Sequence, residues 1–448
     1  MPPRSRPSAG RHAGEAAAPW GARLASLGVA ILGAALGGLA GGFLVVGVTL
    51  VLKTGIDFAG RQHTLFVLAA PLVGLALTAI VLHVLGTSAE ELGDDGRAHP
   101  WRIFPPGAIR ADISGDVVDT AGEEERFPWR LAPMRSLAIF STVGWGCAMG
   151  TEAPAAYLGV AAGVCLGDRG RRWRRLLRPA AVAGGAAGVG ALMGIALVGT
   201  AFILEMGRRN RAPLSLERVL AALVGGVVGW GIDASFGLSL IRLVVPHEPP
   251  ASLGQAVTTA LFIGAAWGAI SSAAGLAAAR AKKWKASPLV RLALGGGATL
   301  ATASLLVWIA SDAAAVGPGG GAISWAETTA AAPLAVLAVC ALRAVATTAA
   351  VAAGGCGGLF VPFLSVGDLA GRVFAPGLDV GGDLAGAAGA AGGIAGGYRL
   401  PATAVFMVLG VGGPARATLT CLATVCVASA AGAGVEKIVA RLSPRRRA

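Results

Sequence analysis

Charged side chains are scarce in this sequence. Only 14% of its 448 residues are Asp, Glu, Lys or Arg, whereas 55% are apolar, and the mean hydropathy is +0.69. Soluble globular proteins carry about 25% charged residues. The scarcity of charge therefore argues against an ordinary soluble domain and indicates a protein that lies in a membrane.

Organised groups of cysteine and histidine are also missing. The six cysteines form no CxxC motif and the five histidines are scattered, so we predict neither a metal site nor a cofactor. No Ser/His/Asp, Cys/His or paired-carboxylate arrangement stands out, so an enzyme is the least favoured function. The N-terminal stretch lacks a short apolar region with a small-residue cleavage site, which argues against a removed signal peptide.

Long uncharged runs occupy residues 24–52, 64–85 and 179–204. A helix of about 20 apolar residues crosses a bilayer core, so each run is long enough to span it. The alternative is a buried helix of a large soluble domain, which runs of this length disfavour. The 69 glycines let helices approach closely and permit breaks where the backbone faces protein or water.

Basic residues give the chain a net charge of +13, and their clusters lie at its ends and in short gaps between apolar segments. This positive-inside pattern predicts a multi-pass protein of the cell membrane with both termini in the cytoplasm. Contact with lipid headgroups is favoured over a specific ligand, and no nucleic-acid partner is expected. The clusters lie at 1–14, 167–175, 208–211, 279–285 and 443–448.

The apolar segments predict an all-α polytopic membrane protein with tilted and discontinuous helices. Several segments are too short to cross a bilayer, which is typical of half-helices that meet near its midplane. We expect a cytoplasmic leader at 1–23, a transmembrane domain at 24–445, a tail at 446–448 and no C-terminal soluble domain. A hydrophilic stretch at 87–130 is predicted to be a loop with a short helix. The segments are 24–52, 64–86, 133–149, 152–166, 179–205, 214–245, 252–280, 288–310, 326–352, 359–374, 384–397, 401–411, 414–431 and 434–442.

Two glycine-rich breaks occur in corresponding places of the chain. Residues 133–154 form an apolar segment that ends in "GTEAP", and residues 335–362 form one that ends in "GGCGGLFVP". Paired breaks of this kind indicate a central binding site in an inverted repeat, here with repeats at about 24–207 and 212–431. The alternative is that glycine-rich turns recur by chance in a glycine-rich chain.

A helix that begins at such a break exposes unpaired N–H groups and a partial positive charge, which attract an anion. In the second break these donors are the amides of Leu359 and Phe360. In the first break, Glu152 brings its own carboxylate to the same positive ends. We therefore interpret Glu152 as a tethered anion that moves aside on protonation or competition. The alternative is a carboxylate that only caps its helix.

These motifs, taken in order, resemble the CLC family of chloride channels and chloride/proton antiporters. "GTEAP" matches the family's glycine–basic–Glu–Gly–Pro turn at Gly150, Glu152 and Pro154, and departs from it at Thr151 and Ala153. "GLFVP" matches the GxFxP turn at Gly358, Phe360 and Pro362. Further similar stretches are "GIALVGTAFILEM" (194–206), "GPGGGAI" (317–323) and "YRLPATAVFMVLG" (398–410), so the resemblance covers roughly residues 25–445.

Three other positions depart from the family pattern. The serine of the family's GSGIP motif aligns near Ala111, and Ser114 is the nearest hydroxyl. The central tyrosine of many members aligns near Val435, although the only tyrosines are Tyr157 and Tyr398. The inner glutamate of the antiporters aligns with Met206, beside Glu205. The resemblance thus predicts an altered inner gate and an altered proton path, with Glu205 as a possible relay.

The resemblance implies a chloride permease, similar to a voltage-gated chloride channel, in which each subunit of a homodimer has its own pathway. It implies that residues 358–361 (Gly358, Leu359, Phe360, Val361) bind the anion and that Glu152 gates it, with Ala111 and Val435 at the remaining anion positions. The alternatives are a chloride/proton antiporter with an atypical inner path, a fluoride-handling relative, and a non-conducting protein of the same fold. The missing inner glutamate favours uncoupled conduction.

Overall fold

The computed structural model describes residues 20–84, 112–238, 240–329 and 331–442, and within these ranges the chain is helical without any β-strand. Short 3₁₀ turns lie at Glu124–Arg126, Trp129–Leu131 and Arg174–Leu176, and π-helical turns at Phe140–Gly144, Leu292–Gly296 and Gly393–Tyr398. The helices are α1 (Trp20–Gly60), α2 (Thr64–Val84), α3 (Ile113–Asp119), α4 (Ala132–Ile139), α5 (Glu152–Gly167), α6 (Leu177–Met193), α7 (Ala196–Arg209), α8 (Leu216–Phe236), α9 (Leu253–Lys282), α10 (Pro288–Arg291), α11 (Gly297–Ile309), α12 (Asp312–Ala315), α13 (Gly320–Thr328), α14 (Pro333–Ala353), α15 (Phe360–Leu378), α16 (Gly382–Gly392), α17 (Pro401–Val411) and α18 (Ala415–Leu442).

Eight of the described helical segments are long and apolar enough to cross a membrane. Others, including α5 and α17, are apolar but too short, with 16 and 11 residues. A bilayer core about 30 Å thick needs about 20 helical residues, so these short helices end inside it. The predicted all-α membrane fold with discontinuous helices is confirmed.

Several predicted segments differ from the observed helices: 326–352 crosses the break between α13 and α14, 214–245 extends beyond the end of α8, and 133–149 extends beyond the π-helical turn. Glycine explains two further differences. Residues 179–205 form two helices, because α6 ends at Gly194, whose left-handed φ of 65° stops the helix. Residues 414–431 and 434–442 form one helix, α18, that runs through Gly432. A Cβ at Gly432 would come 3.0 Å from the Gly396 carbonyl oxygen. This glycine therefore permits close packing and does not break the helix.

The two halves of the chain repeat one another at a constant spacing. Glu152 and Phe360, which begin α5 and α15, are 208 residues apart. The same offset relates Gly159 to Gly367, and both glycines let their helix touch the next one. A Cβ on Gly159 would lie 2.1 Å from the Gly184 carbonyl oxygen of α6, and one on Gly367 would lie 2.4 Å from the Gly389 carbonyl oxygen of α16. The α5–α6 and α15–α16 pairs are thus equivalent glycine-packed units.

The breaks of the two halves meet in the interior. Gly150 and Gly358 form an isolated antiparallel bridge, in which each amide donates to the other's carbonyl at 2.8 Å. The reciprocal bonds relate the breaks by an approximate twofold axis, as an inverted repeat requires. Helices α5 and α15 both start beside this bridge, so their positive N-terminal ends face a common centre.

Candidate functional site

The Glu152 side chain lies at the centre where the two helix ends meet. It is 1% exposed, and its Oε1 accepts a hydrogen bond of 2.5 Å from the Phe360 amide at the start of α15. The carboxylate also interacts with the amides of Val361 and of Glu152 itself. Oε2 has no hydrogen-bond partner among the described residues. One carboxylate therefore occupies the N-terminal ends of both helices and keeps one oxygen unpaired.

Two glycines make room for this carboxylate. A Cβ on Gly150 would lie 2.1 Å from Oε2 of Glu152, and a Cβ on Gly358 would lie 1.9 Å from Oε1. Any larger residue at either position would collide with the carboxylate. Pro154 and Pro362 each stand third in their helices, where a missing amide proton leaves no helical bond unmade. The sequence motifs on both sides of the site thus have a direct steric explanation.

Two cavities reach this centre from opposite ends of α2. The distal cavity, about 500 Å³, contains Arg61 near the start of α2 and reaches Thr151 and Val361. The proximal cavity, about 590 Å³, contains Leu82 near the end of α2 and reaches Met149 and Gly357. Helix α2 has 21 residues and so spans roughly 30 Å. Glu152 lies between the residues that close the two cavities.

Both cavities carry more basic than acidic side chains. Each is lined by three basic residues and one aspartate, which gives an excess of positive charge at both approaches to Glu152. Lys282 in the proximal cavity is paired with Asp112 at 2.8 Å, and its charge also acts on the Glu152 carboxylate. Such a potential concentrates anions. The charged residues are Lys53, Asp57, Arg61 and Arg242 in the distal cavity, and Asp112, Lys282, Lys283 and Arg291 in the proximal one.

An aromatic cluster covers the start of α15. The buried Tyr398 ring makes an edge contact with Phe360 at 5.9 Å and stacks with Phe202 at 6.4 Å between ring centroids. Its phenol interacts with the Ser114 side chain and with the charge of Glu152. Ser114 stands in the first turn of α3, which is capped by Asp112 of the proximal cavity. The serine and tyrosine hydroxyls therefore meet on the proximal side of Glu152.

Ala111 and Val435 are the two positions that alignment gave for this serine and tyrosine. Ala111 lies outside the described residues, so its place relative to Glu152 stays a prediction. Val435 is a partly exposed residue in the last turns of α18. Tyr398, at the end of the π-helical turn before α17, interacts with Ser114. Sequence reasoning noted Tyr398 but did not place it at the site.

Glu205 and Met206 point into different surroundings. Met206 is 1% exposed in the core. Glu205 accepts hydrogen bonds at 2.8 Å from the amides of Ala402 and Thr403, and at 2.6 Å from the Thr403 hydroxyl. These donors form the first turn of α17, so Glu205 caps that helix from α7. The carboxylate that was a possible proton relay is engaged in three structural hydrogen bonds.

Arg135 on α4 was missed as a candidate residue near the site. It is 1% exposed and pairs with Asp116 of α3 at 2.7 Å. A charged residue inside an apolar segment of a membrane protein is itself a sign of function, and Arg135 stands within the segment 133–149. That signal was present in the sequence.

The described residues contain no group of three His, Cys, Asp or Glu that could hold a metal ion.

Comparisons with known proteins bear on the fold of the chain. Residues 112–434 match the family described as "Voltage gated chloride channel". No curated protein sequence is significantly similar to the chain. A slow cyanobacterial Cl⁻/H⁺ antiporter superimposes with a TM-score of 0.71 at 17% identity, over 94% of this chain and 99% of the other.

Two further solved structures have the same fold. A CLC-type fluoride/proton antiporter superimposes with a TM-score of 0.68 at 20% identity, over 92% of this chain and 96% of the other. A eukaryotic CLC transporter gives 0.66 at 15% identity, over 93% and 74%. At these identities the likeness shows the fold alone.

Proposed function

Because the chain belongs to the voltage-gated chloride channel family, CLC, we propose that it is a chloride permease whose pathway passes Glu152. The observation that supports this most is the position of the carboxylate. It binds the α15 amide at Phe360 and lies between two basic cavities that approach from opposite ends of α2. The proximal cavity is then the cytoplasmic one, both termini are cytoplasmic, and the protein lies in the cell membrane.

The Glu152 carboxylate and the transported anion compete for the same amides. With the side chain in place, its Oε1 holds the Phe360 donor and the pathway is closed. Protonation removes the charge that holds the carboxylate at the two helix ends. A chloride ion then takes the vacated position, with the Phe360 and Val361 amides as donors and Gly150 and Gly358 leaving space. Leu359, also predicted as a donor, stands at the N-cap of α15 and completes the turn.

Ser114 and Tyr398 form the proximal closure in this proposal. Their side chains interact beside the start of α15, and Phe202 and Phe363 pack against the tyrosine ring. Hydroxyl groups are neutral donors that hold an anion without adding a charge. The pair replaces the serine near Ala111 and the tyrosine near Val435 that alignment suggested. A homodimer with one pathway in each subunit is proposed from the family resemblance.

We propose further that proton coupling is weak or absent. A proton released from Glu152 toward the proximal side needs a second ionisable group in an apolar interior. Met206 does not ionise, and Glu205 accepts three hydrogen bonds from α17. In this proposal Glu205 is therefore a capping group for α17 and not a proton relay. Proton-coupled exchange, the activity named for two of the structural relatives, is the second candidate.

Purified protein in liposomes distinguishes these functions. An imposed chloride gradient should drive chloride flux, with a reversal potential set by chloride alone and no uphill proton movement. Glu205→Gln should lower the melting temperature, because it weakens a cap worth about 1 kcal/mol or more, and should leave the chloride reversal potential unchanged. Absence of chloride flux would remove the permease proposal. Uphill proton uptake that disappears in Glu205→Gln would establish Glu205 as the relay.

A further inference from the structure

Thr142 lies in the π-helical turn before the first break, and its hydroxyl reaches the second break. Its Oγ1 accepts a hydrogen bond of 2.9 Å from the Cys356 amide. Cys356 stands four residues before Phe360, whose amide holds the Glu152 carboxylate. Thr142 and Cys356 are both fully buried, so this amide has no access to bulk water and depends on a protein partner. One side chain of the first repeat therefore holds the backbone of the second.

A second buried hydroxyl orients that of Thr142. Thr78 of α2 has its Oγ1 at 2.8 Å from the Thr142 hydroxyl and at 2.8 Å from the Gly74 carbonyl oxygen. A hydroxyl has a single proton. Because Thr78 donates its proton to the carbonyl, Thr142 donates its own to Thr78 and keeps its lone pairs for the Cys356 amide. The hydrogen bonds thus form a directed chain from the second break to α2.

This contact is absent from the symmetry between the repeats. Before each break, an amide bonds to the carbonyl five residues earlier: Cys147 to Thr142 at 3.2 Å and Gly355 to Ala350 at 2.9 Å. The two bonds are related by the 208-residue offset that also relates Glu152 to Phe360. Ala350 stands in the place of Thr142 and has no hydroxyl. The side-chain bond was therefore added to one repeat alone, and it acts on the break that presents its amides to the site.

The backbone between Thr142 and the site has few constraints of its own. Residues 355–358 read Gly-Cys-Gly-Gly, and glycine adopts many backbone conformations with little difference in energy. Bonds to neighbouring segments must therefore fix the course of this stretch. Gly358 is fixed by its two bonds to Gly150 at 2.8 Å, and Cys356 is fixed by Thr142. The α15 amides follow directly after these two fixed points.

We infer that the Thr142 hydroxyl holds the second break in the position in which the α15 amides bind an anion. This inference rests on the proposed permease function. Thr142 touches neither the anion nor the Glu152 carboxylate in this arrangement and acts through the Cys356 amide, so it is a positioning residue. Without the hydroxyl, the buried Cys356 amide loses its partner and the glycine-rich stretch shifts to find another. The Phe360 and Val361 amides then move away from their present direction.

Chloride affinity is the first readout, measured by calorimetric titration of the purified full-length protein. Thr142→Val keeps the shape of the side chain and removes the hydroxyl, so chloride binding should weaken by about five-fold or more, the effect of one hydrogen bond. Thr142→Ser restores the hydroxyl and should restore most of the affinity. Thr78→Val leaves the bond to Cys356 in place and removes only its orientation, so its effect should have the same sign and be smaller.

The pH dependence of chloride flux in liposomes is the second readout. The Phe360 amide stabilises the ionised Glu152 carboxylate, on which the charge of Lys282 also acts. When the amide moves, the ionised form loses a donor and Glu152 becomes protonated at higher pH. Because protonation opens the pathway, the pH of half-maximal flux should rise in Thr142→Val, by up to about one unit. A threonine that only stabilises the fold would leave this midpoint unchanged.

Thr424 in α18 provides a matched control. It is also fully buried, but its hydroxyl donates to the Thr420 carbonyl of its own helix at 2.9 Å. Thr424→Val should leave the chloride affinity and the pH midpoint as they are. Unchanged affinity or an unchanged midpoint in folded Thr142→Val overturns the inference, and so does a loss that Thr142→Ser does not restore. If Thr142→Val does not fold, the smaller Thr142→Ala takes its place under the same criteria. Absence of chloride binding by the unaltered protein would instead contradict the proposed function.

Discussion

The two breaks at the centre of the molecule have the same backbone and different chemistry. Each begins with a glycine of the Gly150–Gly358 bridge and continues into a helix whose third residue is proline. At the first position of the helix, the first repeat has Glu152 and the second has Phe360. A charged and an apolar residue thus occupy equivalent places, 208 residues apart, and are joined by one hydrogen bond.

Because of this difference, the two repeats contribute different groups to the proposed anion site. The second repeat contributes amides and an aromatic ring, so its helix end can hold an anion without competing for it. The first repeat contributes the carboxylate that competes. A symmetric pair of glutamates would place two like charges side by side, and a symmetric pair of phenylalanines would leave nothing to respond to pH. Asymmetry within a symmetric fold is therefore what makes gating possible.

The largest expected effect comes from making the first break resemble the second in charge. Glu152→Gln imitates the protonated side chain, so chloride flux into liposomes should be high and nearly independent of pH. In the unaltered protein, flux should fall as pH rises through the range in which Glu152 ionises, by up to about ten-fold per unit, because the protonated fraction falls at that rate. pH-dependent flux that persists in Glu152→Gln would contradict the gating role.

A second variant removes the space that the two breaks share. Gly358→Ala places a Cβ 1.9 Å from the present position of Oε1, where the proposed anion must also lie. Flux should fall by more than about ten-fold, which corresponds to a loss of about 1.4 kcal/mol of anion stabilisation. Gly47→Ala in α1 is the control, because a Cβ there meets nothing within 4 Å. Equal flux in the two variants would show that the space at Gly358 is not needed for the anion.

Sequence reasoning anticipated these breaks because their residues carry local signals. Glycine, proline and a lone carboxylate in an apolar chain predict a turn, a helix start and a functional charge without knowledge of the fold. The proximal side of the site was harder to predict, because Ser114 and Tyr398 are distant in sequence and their side chains interact only in the folded chain. Alignment by residue count cannot follow such a displacement. Arg135 had a local signal, its charge within an apolar segment, but its burial and its pairing with Asp116 are visible only in the folded structure.

A third prediction separates the aligned position from the observed one. Tyr398→Phe keeps the ring contacts with Phe202 and Phe360 and removes the hydroxyl that faces Ser114. In the proposed site this hydroxyl donates a hydrogen bond to chloride. Loss of that bond, worth about 1 kcal/mol, should weaken chloride binding roughly five-fold in a calorimetric titration. Val435→Ala should have no effect on affinity. If Val435→Ala weakens chloride binding and Tyr398→Phe does not, the proximal closure lies at Val435 in α18, as the alignment suggested.

The smallest expected effect tests how the charge of the proximal cavity acts on the first break. Lys282 favours the ionised form of Glu152 from a distance, and its pairing with Asp112 at 2.8 Å reduces that influence. In Lys282→Gln the ionised carboxylate loses this support, so it becomes protonated at higher pH. Because protonation opens the pathway, the pH at which flux is half-maximal should rise, by about a few tenths of a unit for a partly screened charge. Lys283→Gln is the control, because the adjacent lysine lines the same cavity, whereas the charge that acts on Glu152 is that of Lys282. A midpoint that falls in Lys282→Gln, or that rises equally in both variants, would show that the flux does not depend on Glu152 through Lys282.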